Sequence, residues 1–103
     1  MAYNTTRVPG TDILALNTTI KSAFYSEIKI NDLSTKVCVE GFRSFDNVIT
    51  LGTRETRDFV GCDSPESLMN TPVIAYYKNG KLIGLQRRTE VDHTGFLRAN
   101  KLI

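Results

Sequence analysis

Residues 71–88 read TPVIAYYKNGKLIGLQRR, in which two apolar segments flank an Asn79-Gly80 pair. Asn and Gly both tolerate positive φ, so this pair is the strongest short signal for a two-residue hairpin turn. We therefore predict an antiparallel hairpin with strands at residues 73–78 and 81–87. Asp92 precedes an amphipathic segment and is a suitable cap for a final helix that begins near residue 92.

The preceding residues predict a mixture of helix and strand. Within residues 12–25, a helix with one apolar stripe is predicted by the steps of three and four between Ile13, Leu16, Ile20 and Phe24. Alternating or β-branched apolar residues predict strands at residues 36–40, 47–51 and 59–62. Ser64-Pro65 is typical of a helix start, with Ser64 as the cap and Pro65 at the first helical position.

From about residue 59 to residue 103 this order of elements resembles the C-terminal half of a thioredoxin. The resemblance rests on Thr71-Pro72, the apolar strand after it, the Asn79-Gly80 turn, the second strand and the capped final helix. It implies an α/β fold with a small mixed sheet flanked by helices, and the length of 103 residues indicates a single domain over residues 1–103. It also implies a cis Thr71–Pro72 peptide bond, since X-Pro bonds alone adopt cis at low cost.

The cysteines do not fit thioredoxin chemistry. Thioredoxins carry a Cys-x-x-Cys motif, whereas Cys38 and Cys62 are 24 positions apart. With one histidine in the chain, the spacing does not fit a zinc site either. We expect no catalytic residues, no cofactor and no metal. A thiol-redox pair of Cys38 and Cys62 is an alternative that requires their Cα atoms to lie within about 7 Å.

Positive charge is concentrated in the last third of the chain. Residues 73–103 contain six basic and two acidic residues, a net charge of +4, while the whole chain carries +2. An anionic partner would be attracted to this region. Tyr76 and Tyr77 occupy opposite faces of one predicted strand, so we expect one to be buried and one to be exposed for partner contacts.

These observations leave four functions open, of which a non-catalytic protein-binding or adaptor domain on a thioredoxin-like scaffold is favoured. The alternatives are an atypical thiol protein, a small nucleic-acid-binding or anion-binding module, and a structural subunit of a larger assembly. The expected binding residues form the start of the hairpin and its basic surface: Thr71, Pro72, Tyr76, Tyr77, Lys78, Lys81, Arg87 and Arg88.

The expected partner is another protein, with nucleic acid less favoured. We expect no membrane association, because no apolar run approaches the ~18–20 residues of a membrane span. Residues 1–10 contain no apolar segment typical of a secretory signal, so we expect a cytoplasmic protein.

Overall fold

The computed structural model describes residues 4–29, 32–52, 68–88 and 92–103, and these residues form six β-strands and one short helix. The elements are β1 (Asn4–Arg7), β2 (Leu14–Lys29), β3 (Asp32–Val39), β4 (Val48–Leu51), β5 (Pro72–Lys78), β6 (Lys81–Arg87) and α1 (His93–Ala99).

The strands form one curled sheet in the order β4-β3-β2-β5-β6, with β1 paired to the first residues of β2. Each neighbouring pair along this path is antiparallel. The consecutive strands β2, β3 and β4 lie side by side, and β5 returns to lie beside β2, which is a Greek-key arrangement. The result is a nearly closed, barrel-like sheet.

The length of β2 makes this curl possible. Its first residues pair with β5 and β1, and its later residues pair with β3. The register with β3 shifts between Ile20 and Ser22. An irregularity of this kind bends a strand and increases its twist, which allows one strand to belong to two halves of a curled sheet.

The two end strands, β4 and β6, meet at one point. Asp46, just before β4, forms an isolated parallel bridge with Lys81 at the start of β6. The Asp46 amide donates to the Gly80 carbonyl at 2.8 Å, and the Leu82 amide donates to the Asp46 carbonyl at 3.0 Å. Beyond this bridge a cavity separates the two strands.

Among the described residues, the interior of the barrel is mainly apolar and includes Tyr77. Its main buried members are Leu16, Ile20, Val37, Val39, Leu51, Val73, Tyr77, Leu82 and Leu85. The Tyr77 hydroxyl donates to Asn47 Oδ1 at 2.6 Å, and Asn47 Nδ2 donates to the Phe42 carbonyl at 2.8 Å. Gly41 lies so close to both side chains that a Cβ at this position would overlap Asn47 Oδ1 and the Tyr77 hydroxyl.

The helix α1 covers one outer face of the barrel. A second apolar cluster lies between the helix and the outward side of β2 and β5, and its buried members are Val8, Ile13, Ala15, Ile74, Tyr76 and Leu97. Gly84 in β6 permits the side chains of Phe96 and Leu102 to approach the sheet closely, because a Cβ there would lie 3.0 Å from Leu102 Cδ1 and 3.3 Å from Phe96 Cε1.

The predicted α/β class, with a mixed sheet flanked by helices in a thioredoxin-like arrangement, is wrong. Residues 12–25, predicted as a helix, lie mostly in β2. Leu16 and Ile20 face the interior by normal strand alternation, and the register shift after Ile20 turns Ala23 to the same side. The residues that gave the three-and-four spacing therefore do not share one face, because Ile13 lies in the cluster under α1 and Phe24 is exposed.

The hairpin and the final helix are confirmed. Asn79 and Gly80 have φ values of 54° and 76°, as a tight two-residue turn requires. Asp92 caps α1, since its carboxylate accepts from the Gly95 amide at 3.0 Å. The Thr71–Pro72 bond is trans, so the cis prediction is wrong. The predicted strand at 59–62 and the helix start at Ser64-Pro65 lie outside the described residues.

Candidate functional site

The candidate site lies on the outer surface of β2, β3 and β4. This surface differs from the outer face under α1, which is apolar and buried. Because Val37 and Val39 point inward, their neighbours in β3 point outward. Cα pairing then places six outward side chains in two rows, which we name the open face: Phe24, Lys36 and Thr50, and Ser22, Cys38 and Val48.

An aromatic ring and a cation are neighbours on the open face. Phe24 is 54% exposed, although large apolar side chains are usually buried. Lys36 is its direct cross-strand partner and is also exposed. Side chains at such opposed positions lie on the same side of the sheet and within contact distance. The open face therefore presents a ring and an ammonium group side by side.

A second cation lies across a shallow cavity beside the open face. The cavity has a volume of about 570 Å³, and its lining includes Lys36, Val48, Thr50, Asp46 and Lys81. The Asp46–Lys81 bridge brings the start of β6 against this side of the barrel. Asp46 Oδ1 accepts from the Val48 amide at 3.2 Å, and this hydrogen bond fixes the start of β4.

This arrangement suits binding more than catalysis. An exposed ring beside Lys36, with Lys81 across the adjoining cavity, can hold an anionic ligand that has a flat group, by charge and by stacking. Within the described ranges, no group of three or more His, Cys, Asp or Glu side chains could hold a metal ion.

The predicted exposure of one of the two tyrosines is wrong, since Tyr76 and Tyr77 are 0% and 1% exposed. The strand β5 lies between β2 and β6, with the barrel interior on one face and α1 on the other. Both faces of this strand are therefore covered. Thr71 and Pro72, which were expected to bind a partner, lie at the start of this interior strand, and the Thr71 carbonyl accepts from the Ile20 amide at 3.0 Å.

Tyr76 belongs to a polar network under α1. Its hydroxyl donates to Gln86 Oε1 at 2.8 Å and lies 2.9 Å from His93 Nδ1. Phe96 stacks on the ring with centroids 5.0 Å apart. Burial, and to a smaller extent the negative charge of Asp92, raises the pKa of Tyr76 to about 12. The phenol is therefore neutral at ordinary pH and holds the helix to the sheet.

The four predicted basic residues occupy different places. Lys78 and Lys81 are exposed on either side of the hairpin turn, and Lys81 lines the cavity beside the open face. Arg88 Nη2 donates to the carbonyls of Thr18 at 2.5 Å and Val73 at 3.2 Å. Arg88 thus links β2 to β5, while Arg87 lines a separate cavity.

That separate cavity lies between the diverging ends of β4 and β6, and we name it the β4–β6 cleft. Its volume is about 440 Å³. Its apolar lining side chains are Ile49, Leu51, Ile83, Leu85, Phe96 and Leu102. Polar groups at its walls include Thr50, Gln86, Arg87 and Asn100.

Cys38 lies on the open face and is half-buried, and its thiol is 3.9 Å from the Val39 carbonyl. Cys62 lies outside the described residues, so the thiol-redox pair stays a prediction. Sequence reasoning missed Phe24 and Lys36. Phe24 was assigned to the buried stripe of a helix, and the signal for its exposure is the register of two strands that are distant in sequence.

Comparison with known protein families, curated proteins and solved structures finds no match to this chain. In the part of the chain that the structure describes, no helix combines the length and apolar character needed to cross a bilayer.

Proposed function

We propose that this domain binds single-stranded nucleic acid on the open face. The observation that carries the proposal is the exposed ring of Phe24 beside Lys36, with Lys81 across the adjoining cavity. Proteins that bind single strands combine aromatic rings, on which bases stack, with cations that follow the phosphate backbone. The ring and the two lysines supply both elements on one surface.

A single strand fits this surface better than a duplex. Stacking on Phe24 requires a base whose face is free, as in a single strand, whereas a duplex keeps its bases stacked on each other. The architecture supports the same choice by analogy. In five-stranded, partly open Greek-key barrels such as OB-folds, the face of the second and third strands binds oligonucleotides and oligosaccharides. In the barrel formed by β2 to β6, these strands are β3 and β4.

This proposal places nucleic acid ahead of the protein partner that the sequence favours. The residues expected to anchor a protein, Tyr76 and Tyr77, are buried, whereas Phe24 is exposed beside Lys36. An adaptor role and a role as an assembly subunit stay predictions. A cytoplasmic location belongs to the same proposal, because single-stranded nucleic acid is encountered there.

Binding is measured by fluorescence anisotropy with a labelled oligodeoxythymidylate of about ten nucleotides, within the usual site size of such domains. Phe24→Ala removes the stacking surface and should weaken binding by about 1–3 kcal/mol, roughly 5- to 150-fold. Ile103→Ala is the matched control, since Ile103 is also an exposed apolar side chain, at 48%, but lies outside the open face. This control should bind as the parent protein does.

Salt dependence tests the two lysines. Each phosphate contact on a single strand contributes about −0.7 to the slope of log affinity against log salt. Lys36→Ala and Lys81→Ala should each reduce the slope by about this amount, while Arg98→Ala, on exposed α1, should leave it unchanged. Equal effects of all three variants, or an unaltered affinity in Phe24→Ala, would show that the open face is not the binding surface.

A further inference from the structure

A carboxylate lies among the lysines in the shallow cavity beside the open face. Asp46 lines this cavity together with Lys36 and Lys81, and the cavity volume is about 570 Å³. Sites for small molecules have volumes of roughly 300–1,000 Å³, so a nucleobase fits. Contacts to phosphate explain the two lysines, whereas a carboxylate repels phosphate. The carboxylate of Asp46 suits a part of the nucleic acid that donates hydrogen bonds.

Asp46 is fixed in place, and one of its carboxylate oxygens is left for a ligand. Its amide donates to the Gly80 carbonyl at 2.8 Å, and its carbonyl accepts from the Leu82 amide at 3.0 Å. Its Oδ1 accepts from the Val48 amide at 3.2 Å. Within the described residues, its Oδ2 accepts no hydrogen bond. A carboxylate has about four lone-pair sites, so Asp46 can still accept two donors from a ligand.

The cavity lies within reach of a base that follows the one on Phe24. Phe24 in β2 pairs with Lys36 in β3, and Lys36 pairs with Thr50 in β4. Lys36 and Thr50 both line the cavity. Adjacent strands lie about 4.8 Å apart, so the cavity extends over roughly 5–10 Å from Phe24. A nucleic-acid strand with one base stacked on Phe24 can therefore place a nearby base in the cavity.

The hydrogen-bonding groups of the cavity match the Watson–Crick edge of guanine. This edge presents two adjacent donors, N1–H and N2–H₂, beside one acceptor, O6. The carboxylate of Asp46 only accepts, and so can take both donors, while a lysine donates to O6 as it does in other contacts to guanine. Each ammonium group has three donors, so a lysine can contact O6 and a phosphate together. Thymine offers one donor between two carbonyl oxygens, and a carboxylate repels both oxygens.

We infer that the cavity beside the open face selects guanine, through the carboxylate of Asp46 and the lysines that line it. The inference rests on the proposed function, because it assigns a base preference to the same single strand. Adenine and cytosine each offer one amino group beside an acceptor, so they rank between guanine and thymine. Phe24 then stacks on any base, and the cavity supplies the preference.

The test compares oligodeoxythymidylates of about ten nucleotides that differ at one central base, by competition in fluorescence anisotropy with the whole protein. One guanine in place of the central thymine should tighten binding roughly tenfold, as a well-matched contact to a base does. Hypoxanthine, which lacks only the N2 amino group of guanine, should give an intermediate affinity. A single guanine in each strand avoids association between guanine runs.

Asp46→Asn tests the carboxylate with little change in shape. The asparagine Oδ1 can still accept from the Val48 amide, whereas an NH₂ group replaces the other oxygen. Loss of the negative charge strengthens the binding of every oligonucleotide, so the measured quantity is the ratio of guanine to thymine affinity. This ratio should fall from about ten to about one.

Asp12→Asn is the matched control, since it removes the same charge from an exposed turn outside the cavity. It should keep the ratio of the parent protein. Circular dichroism of both variants checks that they fold. Equal affinity of the parent for guanine and thymine strands, or a guanine preference that Asp46→Asn retains, would overturn the inference. If those strands still bind in a manner that depends on Phe24, the proposed function stands.

A mononucleotide separates the two proposals in the other direction, because its binding needs no strand. Guanosine monophosphate should shift the amide signals of Val48 and Leu82 in the nitrogen-15 NMR spectrum, and thymidine monophosphate should shift them less. If no strand binds but guanosine monophosphate gives these shifts and Asp46→Asn abolishes them, the proposed function fails and the guanine site stands. No strand binding and no such shifts would overturn both.

Discussion

Tyr76 shows how burial changes the role of a residue that the sequence offers as a binding group. In sequence it is an aromatic residue beside a basic hairpin, whereas in the structure its hydroxyl bonds to Gln86 and its ring stacks on Phe96. Phe24 is the opposite case, an apolar residue that is exposed. Burial depends on contacts between distant strands, which local spacing does not encode.

The raised pKa of Tyr76 predicts a loss of stability at high pH. The folded protein keeps the phenol neutral up to about pH 12, while in the unfolded chain it ionises near its ordinary value of 10.0. The stabilisation is therefore complete below pH 10 and declines as the pH rises from about 10 to about 12. The free energy of unfolding in urea, measured across this range, should converge for the parent and for Tyr76→Phe. A pH-independent difference between them would contradict this assignment.

At the scale of elements, the sequence predicted the strands and helix whose signals are local. The β5–β6 hairpin follows from Asn79-Gly80, and α1 follows from the Asp92 cap. The long strand β2 could not be predicted, because Ile13, Leu16, Ile20 and Phe24 have helical spacing without sharing a face. Leu16 and Ile20 face the interior, whereas Ile13 lies under α1 and Phe24 is exposed. Of the candidate site, Lys81 was identified through the hairpin, whereas Phe24 and Lys36 meet only through the pairing of β2 with β3.

The sequence suggested that Arg88 binds a partner, whereas its hydrogen bonds in the structure predict an effect on stability. Its guanidinium joins the carbonyls of Thr18 in β2 and Val73 in β5, and hydrogen bonds from charged donors are stronger than neutral ones. Arg88→Ala should lower the free energy of unfolding by roughly 1–2 kcal/mol, measured by urea denaturation. Arg98→Ala, which removes an exposed arginine from α1, should change it by less than about 0.5 kcal/mol. Equal effects would contradict a specific role for Arg88.

At the scale of the whole molecule, the barrel has two outer surfaces of different character. Helix α1 and its apolar cluster cover the outer side of β2 and β5. The packing of the helix on the sheet there stabilises the fold. The open face on β2, β3 and β4 instead presents Phe24 and Lys36. The Greek-key path places this face beside the start of β6, so Lys81 from the C-terminal third joins residues from the N-terminal half.

The central claim is that the open face binds single-stranded nucleic acid, and the most direct test is to map the bound strand by nitrogen-15 NMR. On titration with an oligodeoxythymidylate, the amide signals of Phe24, Lys36, Val48 and Lys81 should shift in a saturable manner. The signals of Ile74, Tyr76 and Leu97, under α1, should stay in place. Saturable shifts confined to the α1 side or to the β4–β6 cleft, or no shifts at all, would contradict the claim.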